Sequence, residues 1–325
     1  MMRIAVLAAL GMAAACSVSV SRTPSATALV MSDTTRVGPT LGLVADQRIA
    51  ALLRDVEPRR IRGSDSALVS FGTRNLYSDT VSTTRGTGAA RRWIHTQFSR
   101  FSADCGGCLR VELDTATVAT PRDTANPSWL VTNVLAWLPG RDTSTVIVIG
   151  GHYDSCVCAV RDGARSAGAD APGANDDGSG TAAVIELARV FSRMYPRGLD
   201  ATVIFAAHDA EEQGLLGSRH LARRLKAGGY HVVAGMTDDI VGNVTAENGY
   251  VDSTSVRIFA PDPDTSKSRE LARYVWAVGA LYLPDFEVYP VWRLDRFGRG
   301  GDHSPYIAEG WAGLRFTERV ENELR

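Results

Sequence analysis

A chain of 325 residues with 45% hydrophobic content can bury one large core or two modest ones. Its 35 Lys and Arg against 36 Asp and Glu leave a formal charge of -1, so no global field favours nucleic acid or anionic lipid as a partner. Basic clusters such as Arg59-Arg60-Ile61-Arg62 read as solvated faces, and the sequence shows no repeat or low-complexity tract.

Arg3 and the apolar run from Ile4 to Ala15 are too short to span a bilayer and read as a secretory signal over residues 1–15. Ala13-Ala14-Ala15 before Cys16 resembles a lipobox, in which the cysteine becomes the lipidated first residue. Ordinary cleavage at an Ala-x-Ala site, leaving Cys16 a thiol, is the alternative. Residues 16–44, rich in Ser and Thr, have the composition of a flexible tether, and one folded domain is expected over residues 45–325. The expected location is therefore outside the cytoplasm, as a periplasmic or outer-membrane lipoprotein or, alternatively, a secreted protein. A lipid on Cys16 is the one membrane attachment expected. Cys105, Cys108, Cys156 and Cys158 are an even set suited to disulfides in an oxidising compartment. Pairing within each motif or across the two stays open.

Helices are expected over about Ala45 to Arg62 and Gly88 to Phe101, the second with Ala89, Trp93, Ile94, Phe98 and Phe101 at helical spacing. Leu109 to Leu113 alternates like a half-buried strand, and Leu130 to Leu138 is another. The turn Pro139-Gly140-Arg141-Asp142 should make the latter and Val146 to Ile149 a hairpin or close neighbours. Val184, Leu187, Phe191 and Met194 mark a helix face ended by Pro196 and Gly198. Val203 to Ala207 is apolar throughout, as in a strand covered on both faces. There follow a helix from Leu215 to Lys226, strands at His231 to Met236 and Val256 to Phe259, a helix from Glu270 to Leu281, and a strand at Gly313 to Phe316. Strands alternating with helices imply an α/β fold with a mostly parallel central sheet and helices on both faces. Ligands of such sheets bind at the carboxyl ends of the strands.

Acidic and histidine-bearing motifs fall at those ends. Gly150-Gly151-His152 follows a strand, its glycines allowing a tight turn beneath an imidazole that can offer one nitrogen to a metal. Asp154, two residues on, can accept the other N–H. Asp176-Asp177-Gly178-Ser179-Gly180 opens a helix; capping explains one aspartate, whereas a pair exceeds that need, and one carboxylate can bridge two cations. Glu211-Glu212 follows an apolar strand. Neighbouring carboxylates stay ionised cheaply when cations share the site, and in extended backbone their side chains point apart, one to metal and one to water as general base. Asp238-Asp239 repeats the arrangement, whereas His208, Asp209, His220 and His231 read as structural or exposed.

From about Gly88 to Glu318 these ordered motifs resemble the bacterial zinc aminopeptidase family that also contains glutamate carboxypeptidases and glutaminyl cyclases. The resemblance implies a zinc exopeptidase-like three-layer sandwich and two zinc ions. It implies His152 and Asp239 on one ion, Glu212 on the other, Asp176 bridging and Glu211 as general base. Asp154 would steady His152 and Asp177 would fix the local backbone. The implied activity is an aminopeptidase, a hydrolase cleaving the N-terminal bond of peptide substrates through a metal-bound water. Alternatives are a glutaminyl-cyclase-like zinc acyltransferase or a non-catalytic binding lipoprotein of the same fold. His303, in Arg299-Gly300-Gly301-Asp302-His303-Ser304-Pro305, is expected behind the ligands or as a substitute ligand, because the family's last histidine lies beyond the final strand. No histidine follows His303, so the carboxyl end reads as incomplete or, alternatively, the second zinc site as altered.

Overall fold

The computed structural model describes residues 41–119, 128–157, 167–261, 263–296 and 299–321. The signal segment, Cys16 with the tether to residue 40, and Cys158 lie outside them. Helices α1 (Gln47–Asp55), α2 (Pro58–Ser70) and α3 (Thr87–Asp104) precede strands β1 (Arg110–Ala119), β2 (Ser128–Leu138) and β3 (Asp142–His152). Then come α4 (Ser179–Met194), β4 (Ala201–His208), α5 (Leu216–Ala227), β5 (His231–Asp238) and β6 (Ser255–Phe259). The chain ends with α6 (Lys267–Tyr282), β7 (Glu287–Val291), α7 (Ser304–Ala308) and β8 (Gly313–Glu318).

One helix expected from Ala45 to Arg62 is two. Pro58 sits at the first position of α2, where its missing N–H costs nothing, and it forces Glu57 into extended backbone, which ends α1. The strands form one eight-stranded sheet in the order β1-β2-β4-β3-β5-β8-β6-β7. Strands β4, β3, β5 and β8 are parallel, as are β6 and β7, while β1–β2, β2–β4 and β6–β8 are antiparallel. The sheet is mostly parallel, as expected. The expected β2–β3 hairpin does not form, because β4 lies between them. Its run of apolar side chains fits a central position, which the local turn at Pro139 cannot reveal.

Period-two segregation shows why helices cover both faces. Ile147, Ile149, Val203, Phe205, Val134 and Ala136 enter the core under α1 to α4 and α6. Their alternating neighbours Val146, Val148, Ile204, Ala206, Leu135 and Trp137 pack with Leu221, Leu225, Tyr306 and Trp311 on the opposite face. Cys105 and Cys108 are joined to each other just beyond α3, so that motif pairs within itself, and Cys156 is also disulfide-bonded. The connection from β3 through α4 reaches β4 on one side, and that from β4 through α5 returns to β5 on the other. The carboxyl end of β3 is therefore the point where the winding reverses, the position at which open α/β sheets bind ligands.

Candidate metal centre

His152 is the last residue of β3 and is fully buried. Gly150 and Gly151 lie inside the strand and make no turn; close approach is what requires them. A Cβ on Gly150 would sit 2.6 Å from Nε2 of His208, and one on Gly151 would sit 2.7 Å from the Thr181 amide nitrogen. Nδ1 of His152 faces both the backbone oxygen of Asp154 at 3.2 Å and its Oδ1 at 3.3 Å. The other Asp154 contacts were not legible in the sequence: its two oxygens accept the backbone amides of Glu211 at 3.0 Å and Glu212 at 3.2 Å. One buried carboxylate thus ties the imidazole to the acidic turn.

The free side of the imidazole decides the site. Nε2 lies 3.1 Å from Asp176 Oδ1 and 3.8 Å from Asp239 Oδ1, yet it makes no well-formed hydrogen bond. Ligand atoms of His152, Asp176 and Asp239 all fall within 4.8 Å of one another. A buried imidazole nitrogen without a partner, facing two carboxylates, is a donor set that fits zinc.

Asp176 and Asp177 occupy the wide turn Ala174–Gly178 ahead of α4, and neither has helical backbone. They divide the work. Asp177 is buried, accepting the amides of His152 at 3.0 Å, Gly180 at 2.8 Å and Ile240 at 3.4 Å. The bond to Gly180 is the capping role, and the other two fasten three motifs together, so Asp177 fixes backbone, while Asp176 stands in the group that could hold a metal. Behind the turn stands the fully buried Arg74, unflagged by the sequence reading, which donates to the carbonyls of Leu68, Tyr153, Pro172 and Gly173.

Asp239 is held by a second buried cation that the sequence reading missed. Nε of Arg315 lies 3.3 Å from its Oδ2, and Nη1 of the same guanidinium bonds both oxygens of Asp295 at 2.9 and 2.8 Å. Burial works against the ionised form of Asp239, but Arg315 and His152 outweigh it and hold the carboxyl below the usual range. An arginine inside the otherwise apolar Gly313-Leu314-Arg315-Phe316 was the available signal, since a buried strand tolerates a cation beside buried acids. Asp238, its neighbour, points elsewhere: both its oxygens are buried without partners, and burial pushes it up to about 8.

Glu211 and Glu212 do not stand in extended backbone. Ala210 takes a positive φ of 58°, and a turn closed by the Gly214 and Leu215 amides on the Glu211 carbonyl carries both glutamates. Both are half-buried. Burial raises Glu211 well above the carboxylate range, and the carboxylates of Asp302, Asp239 and Glu212 add to it. Glu212 is pushed up to about 8 by burial and then by Asp176, which puts its charge beside the carboxylate expected to bridge. Asp302, buried with one oxygen unpartnered, is a further carboxyl near Glu211 that the sequence reading passed over.

His303 does not join the ligand group. It is fully buried, and its Nε2 lies 2.8 Å from the backbone oxygen of Leu294, so it stands behind the site. His208 is buried, His220 pairs with Asp114 at 3.0 Å, and His231 is exposed at the start of β5. Asp209 accepts the Thr132 amide.

Residues 133–324 match Peptidase family M28. The chain is also 37% identical over 298 residues to a probable zinc metalloprotease of Pyrenophora tritici-repentis, covering 85% of this chain and 60% of that relative. This chain belongs to Peptidase family M28. It spans about 60% of the length of that relative, a fungal protein, so the family is M28 and the bacterial restriction expected from the motifs is not supported. Among solved structures, Legionella pneumophila LapA aminopeptidase superposes with a TM-score of 0.60 at 22% identity, covering 83% of this chain and 63% of that one. The glutaminyl cyclase of Porphyromonas gingivalis gives the same TM-score, 0.60, at 19% identity, covering 83% of this chain and 86% of that one. The M28 fold is thus common to hydrolase and cyclase, and only the site separates them.

Proposed function

We propose that this M28 chain is a zinc aminopeptidase holding two ions. His152, Asp176 and Asp239 would hold the first, and Glu212, on the neighbouring turn, would serve the second. The observation that carries the reading is the unpartnered His152 Nε2 between two carboxylates, with Glu211 on the adjoining turn. Zinc bound there supplies a Lewis acid that polarises the scissile carbonyl and lowers the pKa of water. Glu211 takes the proton of the attacking water and passes it to the leaving amine, a task suited to a carboxyl whose proton affinity is raised by its surroundings. Asp154 keeps that carboxyl in register by gripping the amides beneath it.

The preference for an amino terminus is supported by the M28 family and by the fold shared with LapA aminopeptidase. Aminoacyl reporter substrates test this, with zinc counted by elemental analysis. Turnover of the free-amine reporter but not its N-acetyl counterpart, with two zinc ions per chain, is the expected result. Cyclisation of a glutaminyl peptide without hydrolysis would make the protein an acyltransferase, and bound zinc without either reaction a binding protein.

Export is proposed on the leader alone, with Cys16 as the lipidated residue and simple secretion as the alternative. Mass spectrometry of the mature protein, expected to begin at an acylated Cys16, decides between them.

A further inference from the structure

One cavity among the described residues lies away from the metal centre. It has a volume of about 780 Å³, within the range of small-molecule sites, and lies among α2, α3 and α4 on one outer face of the sheet. None of the residues assigned to the metal site lines it. Along α4 its first contact, Ile185, is roughly two turns beyond the start of the helix at Ser179.

Its chemistry is two-part. One wall is apolar, made by Trp93 and Phe101 of α3, Ile185 of α4, and Pro196. The deep polar pair, Glu186 with Arg189, is internally neutral: two Arg189 nitrogens bond Glu186 at 2.9 and 2.7 Å. What remains at the mouth is mainly cationic. Arg60, Arg100 and Arg193 line it with Asp104 as the one further acid, and Arg60 is already engaged by Glu57 at 3.0 Å. Arg100 is exposed and has no carboxylate partner among the described residues, while Arg193 meets Asp55 only at 3.6 Å with its side chain 67% exposed. An aromatic hollow under a ring of guanidinium groups is complementary to a molecule with an apolar body and an anionic end. The chain's own segment 17–40 does not fit that description, because Arg22 and Arg36 against Asp33 leave it with a net positive charge.

We infer that this cavity binds a single-tailed carboxylate amphiphile, its tail against Trp93, Phe101 and Ile185 and its carboxylate on Arg100 with Arg193. The inference is independent of the peptidase reading, since no residue is shared.

The test uses the full chain and isothermal titration with dodecanoate below its micellar concentration. One dodecanoate should bind per chain, and decanoate should bind more weakly by about fourfold for each methylene removed. Arg100→Glu should weaken binding about tenfold, because it replaces an attraction with a repulsion. Gly63→Leu is a second variant that keeps the fold: Gly63 lies within α2 and lines the cavity, and a Cβ there meets nothing within 4 Å. Leucine is the better helix former, so the melting temperature should not fall, yet the side chain occupies the hollow and should abolish binding. Dodecan-1-ol binding as tightly as dodecanoate would overturn the inference, as would unchanged affinity in Gly63→Leu. Binding to phosphatidylglycerol vesicles without binding of free dodecanoate would also overturn it, assigning the face to a lipid surface.

Discussion

Asp239 and Glu211 both lie just past a buried strand on the same side of the sheet, and their charges are managed in opposite ways. Arg315 sits against Asp239 and, with His152, holds it ionised. No arginine or lysine of the described residues pairs with Glu211, and burial, with the acids around it, raises its proton affinity. A ligand benefits from permanent charge, whereas a proton acceptor must also release what it takes. The same contrast separates His152, Asp176 and Asp239, pinned by Asp154, Asp177 and Arg315, from Glu211 and Glu212, carried on a turn whose amides rest on Asp154.

The largest expected effect comes from breaking the division within the glutamate pair. Glu211→Gln should lower hydrolysis of an aminoacyl reporter by about two to four orders of magnitude with zinc content nearly unchanged. Glu212→Gln should instead reduce bound zinc. Equal zinc loss in the two variants would show that the turn does not separate base from ligand.

Removing the cation that distinguishes the two halves should come next. Arg315→Met leaves Asp239 and Asp295 buried without their guanidinium, a loss of about 3–5 kcal/mol in stability measured by urea unfolding without metal. Adding Asp295→Asn should recover part of it, because one of the two stranded charges is then absent. A loss under about 1 kcal/mol would mean that Asp239 owes its ionisation to another group.

The group that comes together, His152, Asp176 and Asp239, was legible in the sequence: His152 and Asp239 end or follow strands, and Asp176 belongs to a pair that exceeds the needs of a helix cap. What holds them was not. Arg74 reaches the Tyr153 carbonyl across 79 residues, and Arg315 joins Asp295 across 20, contacts made only when the sheet assembles. Periodicity reports which face of an element is buried; it carries no record of which distant group a lone arginine meets. The same limit explains the absent β2–β3 hairpin, since β4 is inserted between two strands that are consecutive in sequence. The glutamate turn was misread as extended because the positive φ of Ala210 has no signature in a residue type that rarely adopts it.

The smallest effect concerns a carboxyl within the well-held half that lacks a cation of its own. Asp65 lies beneath the acidic turn, so close that a Cβ on Gly178 would be 2.6 Å from its Oδ1, an oxygen buried without a hydrogen-bond partner. Arg74 lowers its proton affinity somewhat, but that guanidinium is already spread over four carbonyls, and burial wins, pushing Asp65 up to about 6. An unfolded aspartate titrates near 3.9, so between about pH 4 and pH 6 the folded chain binds more protons. Stability from this residue therefore falls as pH rises through that window and is flat above it. Asp65→Asn removes the cost. Two pKa units correspond to nearly 3 kcal/mol, but partial exposure screens the charge, so the expected gain at pH 8 is about 1 kcal/mol. By pH 5 the gain should fall to roughly half, because the wild-type carboxyl is then protonated only in the folded state. Urea unfolding of both proteins at the two pH values measures the difference. An equal gain at pH 5 and pH 8 would assign the effect to the shape of the amide, and the acidic turn would then rest on no strained charge beneath it.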